Sequence, residues 1–240
     1  MFSPLRSLRA LGAALILAGS VAATALQAHE VSPMRVFLQP QNGQTSAVVT
    51  VSNSRTTPLP FEIRVLRRDV APDGSQTFTP AEDQFTVFPP QALVQPQQSQ
   101  AVRFQYIGDP ALAQSASYVL QVKEVPVIPD GFSGIITVYD FGVAVYVQAQ
   151  GAQADLAVHN ARRDGDSITF EVENSGRDYG FLAQRTLTVA AGGQRREIAA
   201  EDLAAAIENP IVPPLSTRLF TIPAGELPQG PVTVDLGPAQ

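Results

Sequence analysis

The chain has 240 residues, 22 acidic against 16 basic for a net charge of −6, and neither cysteine nor tryptophan. An acidic balance argues against a nucleic-acid partner, whose phosphates select basic faces. Without cysteine there is no disulfide framework or metal-thiolate site, so any core must hold by packing alone.

Residues 1–28 carry Arg6 and Arg9, an apolar run from Leu11 to Leu17, and small residues through Ala23, Ala25 and Ala28. This is the layout of a cleavable signal peptide, cut after Ala25 or Ala28. The run falls well short of the roughly 20 residues a spanning helix needs. No later segment is long and apolar enough either, so no stable membrane insertion is expected.

Beyond the leader, period-two segments predict strands at Val31 to Gln39, Ser46 to Val51, Phe61 to Leu66, Gln84 to Phe88, Ala101 to Ile107, Ser117 to Val122 and Ile135 to Val147. Turn residues separate them, among them Asn42-Gly43, Asp73-Gly74, Pro89-Pro90, Gly108-Asp109-Pro110 and Asp130-Gly131. Seven strands in this length is the count of an immunoglobulin-like sandwich. After the polar stretch AQGAQAD, a second series follows at Leu156 to Val158, Ser167 to Glu173, Arg185 to Val189, Arg218 to Ile222 and Val232 to Leu236. Glu201 to Glu208 reads either as one short helix or as a loop. The fold class predicted is all-β, two immunoglobulin-like β-sandwich domains at 29–149 and 150–240, the second smaller.

The segment Ile135 to Val147, IITVYDFGVAVYV, is unusual in this series. One alternate set is Ile135, Thr137, Tyr139, Phe141, Val143, Val145 and Val147; the other, with Ile136, Val138, Ala144 and Tyr146, is largely apolar too. A sandwich strand normally buries one face and wets the other, so apolar residues on both faces demand a second partner. That partner is either a neighbouring domain or another molecule.

Chemistry-bearing residues are scarce. Beyond the leader only His29 and His159 are available as bases, no phosphate loop or dinucleotide fingerprint follows any strand, and zinc ligands are lacking. Glu30, Glu82, Asp83, Asp164 and Asp166 fall in turns or at strand ends, where solvated acids are ordinary. No catalytic residue, cofactor or metal is therefore expected. Two rival readings remain open at this point. One is a secreted sandwich for adhesion or carbohydrate binding, which the shortage of aromatics disfavours. The other is copper chelation by the amine and imidazole of His29, should cleavage follow Ala28.

Three stretches resemble the periplasmic pilus (fimbrial) assembly chaperones of the chaperone-usher pathway. VSPMRVFL with SAVVTVSN is similar to that family's first two strands, YVLQVKEVP to its penultimate strand, and FGVAVYVQA to the ending of the last strand of its first domain. Weaker likenesses continue in FEVENSG and IVPPLSTRLF. The resemblance implies a boomerang-shaped, non-enzymatic chaperone in the periplasm. Its partners would be pilus or coat-pilin subunits and an outer-membrane usher, with no nucleic acid, and a second copy would cap the free surface.

It further implies that the last strand is lent to a subunit that lacks its own, by strand addition. On this alignment Ile135, Thr137, Tyr139 and Phe141 are the donated residues; a one-residue slip would present Ile136 and Val138 instead. The connection VPVIPDGFSG supplies a subunit-facing lip with Val127, Ile128 and Phe132. Arg35 falls on the family arginine that anchors the subunit's terminal carboxylate, a task suited to a planar guanidinium fork. The second family cation is missing: Ala144 stands in its place, and the single lysine, Lys123, lies on the preceding strand. Another arginine, or Arg35 with backbone donors, would have to complete the clamp.

Overall fold

The computed structural model describes residues 29–128 and 131–239; the expected signal peptide lies outside the described residues. In the first half the strands are β1 (His29–Ser32), β2 (Arg35–Leu38), β3 (Ser46–Asn53), β4 (Leu59–Val70) and β5 (Gln76–Pro80), then β6 (Phe85–Phe88), β7 (Gln91–Val94), β8 (Ser99–Tyr106), β9 (Ala116–Glu124) and β10 (Asp140–Val147). They form two facing sheets, one ordered β1-β3-β8-β6 and the other β2-β10-β9-β4-β5, with β7 on β4. The interior is filled by alternate residues of both, including Val49, Phe61, Phe104, Leu120, Val145 and Val147.

The first predicted strand is split between the two sheets. Pro33 has no N–H to donate, so the ladder cannot run through it, and β1 pairs antiparallel with β3 whereas β2 pairs parallel with β10. The last predicted strand is shorter than its apolar pattern: Ile135 to Tyr139 stand outside any strand and the sheet begins at Asp140. β5 and β7 escape the sequence reading because β5 is exposed throughout and β7 buries only Val94, so neither shows a long alternation.

The second half contains β11 (Leu156–Asp164), β12 (Ser167–Asn174), β13 (Gly180–Phe181), β14 (Arg185–Ala191), β15 (Gln194–Ile198), α1 (Ala200–Ala206), β16 (Ile211–Val212), β17 (Ser216–Pro223) and β18 (Val232–Ala239). Sheets β11-β12-β17 and β15-β14-β18 enclose a separate core around Phe170, Leu187, Val189, Phe220 and Ile222. The open choice at Glu201 to Glu208 resolves as a helix. Glu201 and Asp202 sit in its first turn, where the exposed amide ends favour acids, and Leu203 is buried below. The molecule thus has two immunoglobulin-like sandwiches.

Each sandwich closes on the same device. Asn53 and Asn174, at the ends of β3 and β12, are buried, and each amide donates to three backbone carbonyls. Asn53 serves Thr57, Val94 and Gln95, and Asn174 serves Asp178, Val212 and Pro213. Each side-chain oxygen accepts the N–H two residues on, from Arg55 and Gly176. Because a buried carbonyl left without a donor costs about 1–3 kcal/mol, one asparagine fixes a whole loop at modest expense.

The two halves are joined by direct bonds. Leu219 N donates to Pro72 O at 2.9 Å, Ser115 N to Arg177 O at 2.9 Å, and Gln148 Nε2 to Asp178 Oδ2 at 2.9 Å. At the tip of the β4–β5 hairpin Gly74 has φ +94° and lies against the Arg218 guanidinium, so a β-carbon there would sit 2.6 Å from Nη2. These contacts leave a cleft lined by the outer face of β2 and β10.

Candidate functional site

The site is the edge of β10 and the chain that precedes it. Ala144 N donates to Met34 O at 3.0 Å, so the even-numbered residues of β10 turn their backbone groups toward β2. β2 starts at Arg35, opposite Ala144. On that side no strand of the described chain pairs with Asp140 to Val143, so the groups of Asp140 and Gly142 face outward as an open edge. The other side of β10 is fully laddered to β9.

Side chains divide along the ribbon. Val143, Val145 and Val147 enter the first core, with Phe141 packed beside them. On the opposite face Tyr146 is buried by Phe37, stacked at 5.3 Å, and by Tyr179 and Phe181 of the second half, edge-on at 5.2 and 5.1 Å. The neighbouring domain therefore covers this stretch, one of the two partners the double-faced pattern allowed.

N-terminal to Tyr139 neither face is covered: Ile135 is 95% exposed, and Ile136, Thr137 and Val138 are exposed as well. The lip residues Val125, Val127, Ile128 and Phe132 are exposed alongside. Between ribbon and lip runs an open groove of ≈ 540 Å³ bordered by Pro58, Pro60, Leu93, Val127 and Ile136.

Arg35 lies at the inner end of the open edge. Its side chain is exposed and its guanidinium rests 5.1 Å from the Phe181 ring centroid, with no carboxylate among the described residues paired to it. Arg68, which lies 5.4 Å from the Tyr146 ring centroid, is committed elsewhere: its buried guanidinium donates to Ser117 Oγ at 2.8 and 3.0 Å and to Tyr146 Oη at 2.7 Å. Lys123 is exposed on β9, where its register partners are Glu62 and Asp140. Ala144, opposite Arg35 in the register, contributes no second charge. The donors nearest to Arg35 along the strand are the outward N–H groups of the open edge.

A cluster unforeseen from sequence sits where the ribbon leaves the sheet. Arg55 grips Glu124 through two bonds, Nη1 to Oε1 at 2.6 Å and Nη2 to Oε2 at 3.2 Å, and its Nη2 is 3.0 Å from His29 Nδ1. Glu124 Oε2 accepts the Tyr139 N–H at 3.1 Å, while Glu124 N donates to Tyr139 O at 2.9 Å. The buried His29 ring meets Tyr139 and Phe141 edge-on at 4.6 and 4.8 Å. Burial, helped by the Arg55 charge, holds the His29 imidazole below its ordinary pKa and thus neutral.

This geometry argues against the copper reading. Nδ1, the nitrogen an amino-terminal histidine would offer together with its amine, is taken by the Arg55 guanidinium, and a cation at 3.0 Å repels a metal. Among the described residues no group of three or more His, Cys, Asp or Glu could hold an ion. His159 is on β11, 3.1 Å from Glu173 at the surface and remote from the cleft.

The arrangement is that of a two-domain immunoglobulin-like protein whose last first-domain strand keeps an open, apolar edge beside a cleft arginine. Residues 29–134 match the family described as pili and flagellar-assembly chaperone, PapD N-terminal domain. Residues 29–134 thus carry the N-terminal domain of this family of pilus-assembly chaperones.

Among solved structures, the Escherichia coli chaperone DraB is 20% identical, with a TM-score of 0.54 over 86% of this chain and 89% of that one. The Salmonella enterica complex of SafA pilin with the SafB chaperone is 21% identical, TM-score 0.54, covering 84% and 86%. The Acinetobacter baumannii CsuC-CsuE pre-assembly complex of an archaic chaperone-usher pilus is 12% identical, TM-score 0.51, covering 80% and 89%. At these identities the likeness concerns the fold. No curated protein matches the chain.

Proposed function

We propose that this protein is a periplasmic chaperone that captures pilus subunits by lending them the Ile135–Phe141 ribbon and passes them to an outer-membrane usher. The observation that carries the reading is the state of that ribbon: from Ile135 to Val138 its apolar side chains are left exposed by its own fold, Phe141 is half-buried at its inner end, and the segment is continuous with an unpaired strand edge. A subunit sandwich lacking its final strand has complementary needs, an open groove for alternate side chains and unpaired backbone groups along it. Ile135, Thr137, Tyr139 and Phe141 fill the groove, and Val127, Ile128 and Phe132 border it.

Arg35 ends the ribbon as the anchor for the subunit's terminal carboxylate. Its unpaired guanidinium supplies two parallel donors, and the outward N–H of Gly142 stands in for the missing second cation. The role involves binding rather than catalysis, and needs no cofactor. SafA pilin bound to SafB and CsuE bound to CsuC are chaperone complexes on the same fold.

The test is co-expression with a pilus subunit that lacks its final strand, followed by recovery of the complex. Wild type recovers the subunit, whereas Arg35→Ala does not although its melting temperature is unchanged. Equal recovery by Arg35→Ala would remove the carboxylate role, and no recovery by wild type would remove the reading itself.

A further inference from the structure

Where the ribbon leaves the sheet, one carboxylate decides which way it faces. Glu124 holds the backbone of Tyr139 from both sides, accepting its N–H on Oε2 and donating its own N–H to its carbonyl. Those groups therefore point toward β9, and the Tyr139 side chain falls in the series of Phe141, Val143 and Val145. Residues two and four earlier, Thr137 and Ile135, inherit that face if the segment continues as a strand.

Glu124 itself is held rigidly. Its carboxylate is only 11% exposed and receives both arms of Arg55. Arg55 in turn sits on a loop pinned by Asn53, whose Oδ1 accepts the Arg55 N–H at 3.0 Å, and by Gln97, whose Nε2 donates to Ser54 O at 2.7 Å. His29 fills the remaining side. Its ring lies edge-on to the Tyr139 and Phe141 rings, which are nearly parallel, and the Arg55 guanidinium covers Tyr139 at 5.2 Å. Three separate elements, β1, the β3–β4 loop and the end of β9, thus converge on one residue of the ribbon.

We infer that Arg55, Glu124 and His29 form a register latch: they are positioning residues that fix Tyr139 and so present Ile135 and Thr137, not Ile136 and Val138, to the subunit groove. The inference rests on the strand-lending reading. It explains why a ribbon apolar on both faces is not ambiguous in register, since a slip of one residue would turn the Tyr139 N–H away from its carboxylate acceptor and break both bonds. It also places Tyr139 and Phe141 in a different position from the two residues before them. Their rings already lean on His29, so a subunit packs over a preformed aromatic step instead of ordering the whole ribbon.

The natural absence of cysteine gives a clean background for the test. Single cysteines at positions 135, 136, 137 and 138 of the full chain are labelled with a maleimide, free and in complex with the co-expressed subunit. With the latch intact, positions 135 and 137 are labelled about tenfold more slowly in the complex than 136 and 138, the scale of one decade in local opening. Glu124→Ala erases that alternation, and Glu124→Gln, which keeps an acceptor for the Tyr139 N–H, restores most of it.

A purely structural role for Glu124 would lower subunit recovery equally at all four positions and leave the alternation intact, which overturns the inference. Preserved alternation in both variants at full recovery overturns it as well, as does an alternation in wild type that favours 136 and 138. Failure of wild type to bind the subunit at all is the separate outcome that removes the reading beneath it.

Discussion

The two halves of one apolar ribbon meet opposite fates. Val143 to Val147 are sheathed on both faces, by the first core and by Phe37, Tyr179 and Phe181. Ile135 to Val138 carry side chains of the same chemistry and are covered on neither. The difference is not composition. β2 begins only opposite Ala144, and the chain before Tyr139 pairs with no strand of the described residues. An apolar pattern therefore reports that burial is needed, while the extent of the neighbouring strands decides whether this molecule or another supplies it.

The sharpest way to break the comparison is to place a charge in each half. Val145→Asp buries an unpaired carboxylate in the first core, at a cost of several kcal/mol that approaches the whole stability of a domain. Loss of the cooperative denaturant transition of the first domain is the expected result. Ile135→Asp leaves that transition where it was, because the residue is exposed, and instead weakens subunit capture by roughly a hundredfold, the cost of a charge in a dry groove. A large stability loss in Ile135→Asp would mean that the outer half is supported by its own fold after all.

A smaller perturbation acts on the sheath. Phe181→Ala uncovers Tyr146 and removes the ring beneath the Arg35 guanidinium. A loss of about 1–3 kcal/mol is expected for deleting this half-buried ring, read as a shift in the urea midpoint. The corresponding deletion Phe132→Ala on the exposed lip leaves the midpoint unmoved.

The smallest effect is the pH dependence of the junction between the halves. His29 is neutral when folded because burial and then Arg55 depress its pKa below 6.5, whereas Glu124 pulls the other way. Just below pH 6.5 the unfolded chain binds a proton that the folded one does not, so stability rises with pH there. The contribution is complete above the unfolded value and is lost as pH falls toward the lower folded value. Melting temperatures taken at about pH 7.5 and about pH 5 should fall less for His29→Phe than for wild type; equal falls would show that His29 does not titrate in this window.

Much of this was readable in the residues. Alternation marked most strands of both sandwiches, and the motif VSPMRVFL pointed to Arg35, which stands opposite Ala144 where the open edge of β10 begins. What failed to show was whatever depends on partners distant in sequence. Val31 to Gln39 read as one strand although Pro33 splits it between sheets. β5 and β7 carry too little buried surface to betray themselves. No feature of the sequence sets Glu124 or Arg55 apart. Only the meeting of residues 29, 55, 124 and 139 makes them a unit, and no local pattern encodes a pairing across so many residues.

The sequence by itself determined an all-β chain of immunoglobulin-like strands and a ribbon with more apolar surface than one sandwich strand can bury. These follow from side-chain period and turn chemistry, which act over a few residues. Tertiary structure alone decided how far each strand runs, which half of the ribbon is covered, and which cations are free. Arg68 is bound to Ser117 and Tyr146 while Arg35 has no carboxylate beside it. The physical reason is that coverage and charge pairing are properties of neighbours in space, set by where β2 begins and where the second domain stops.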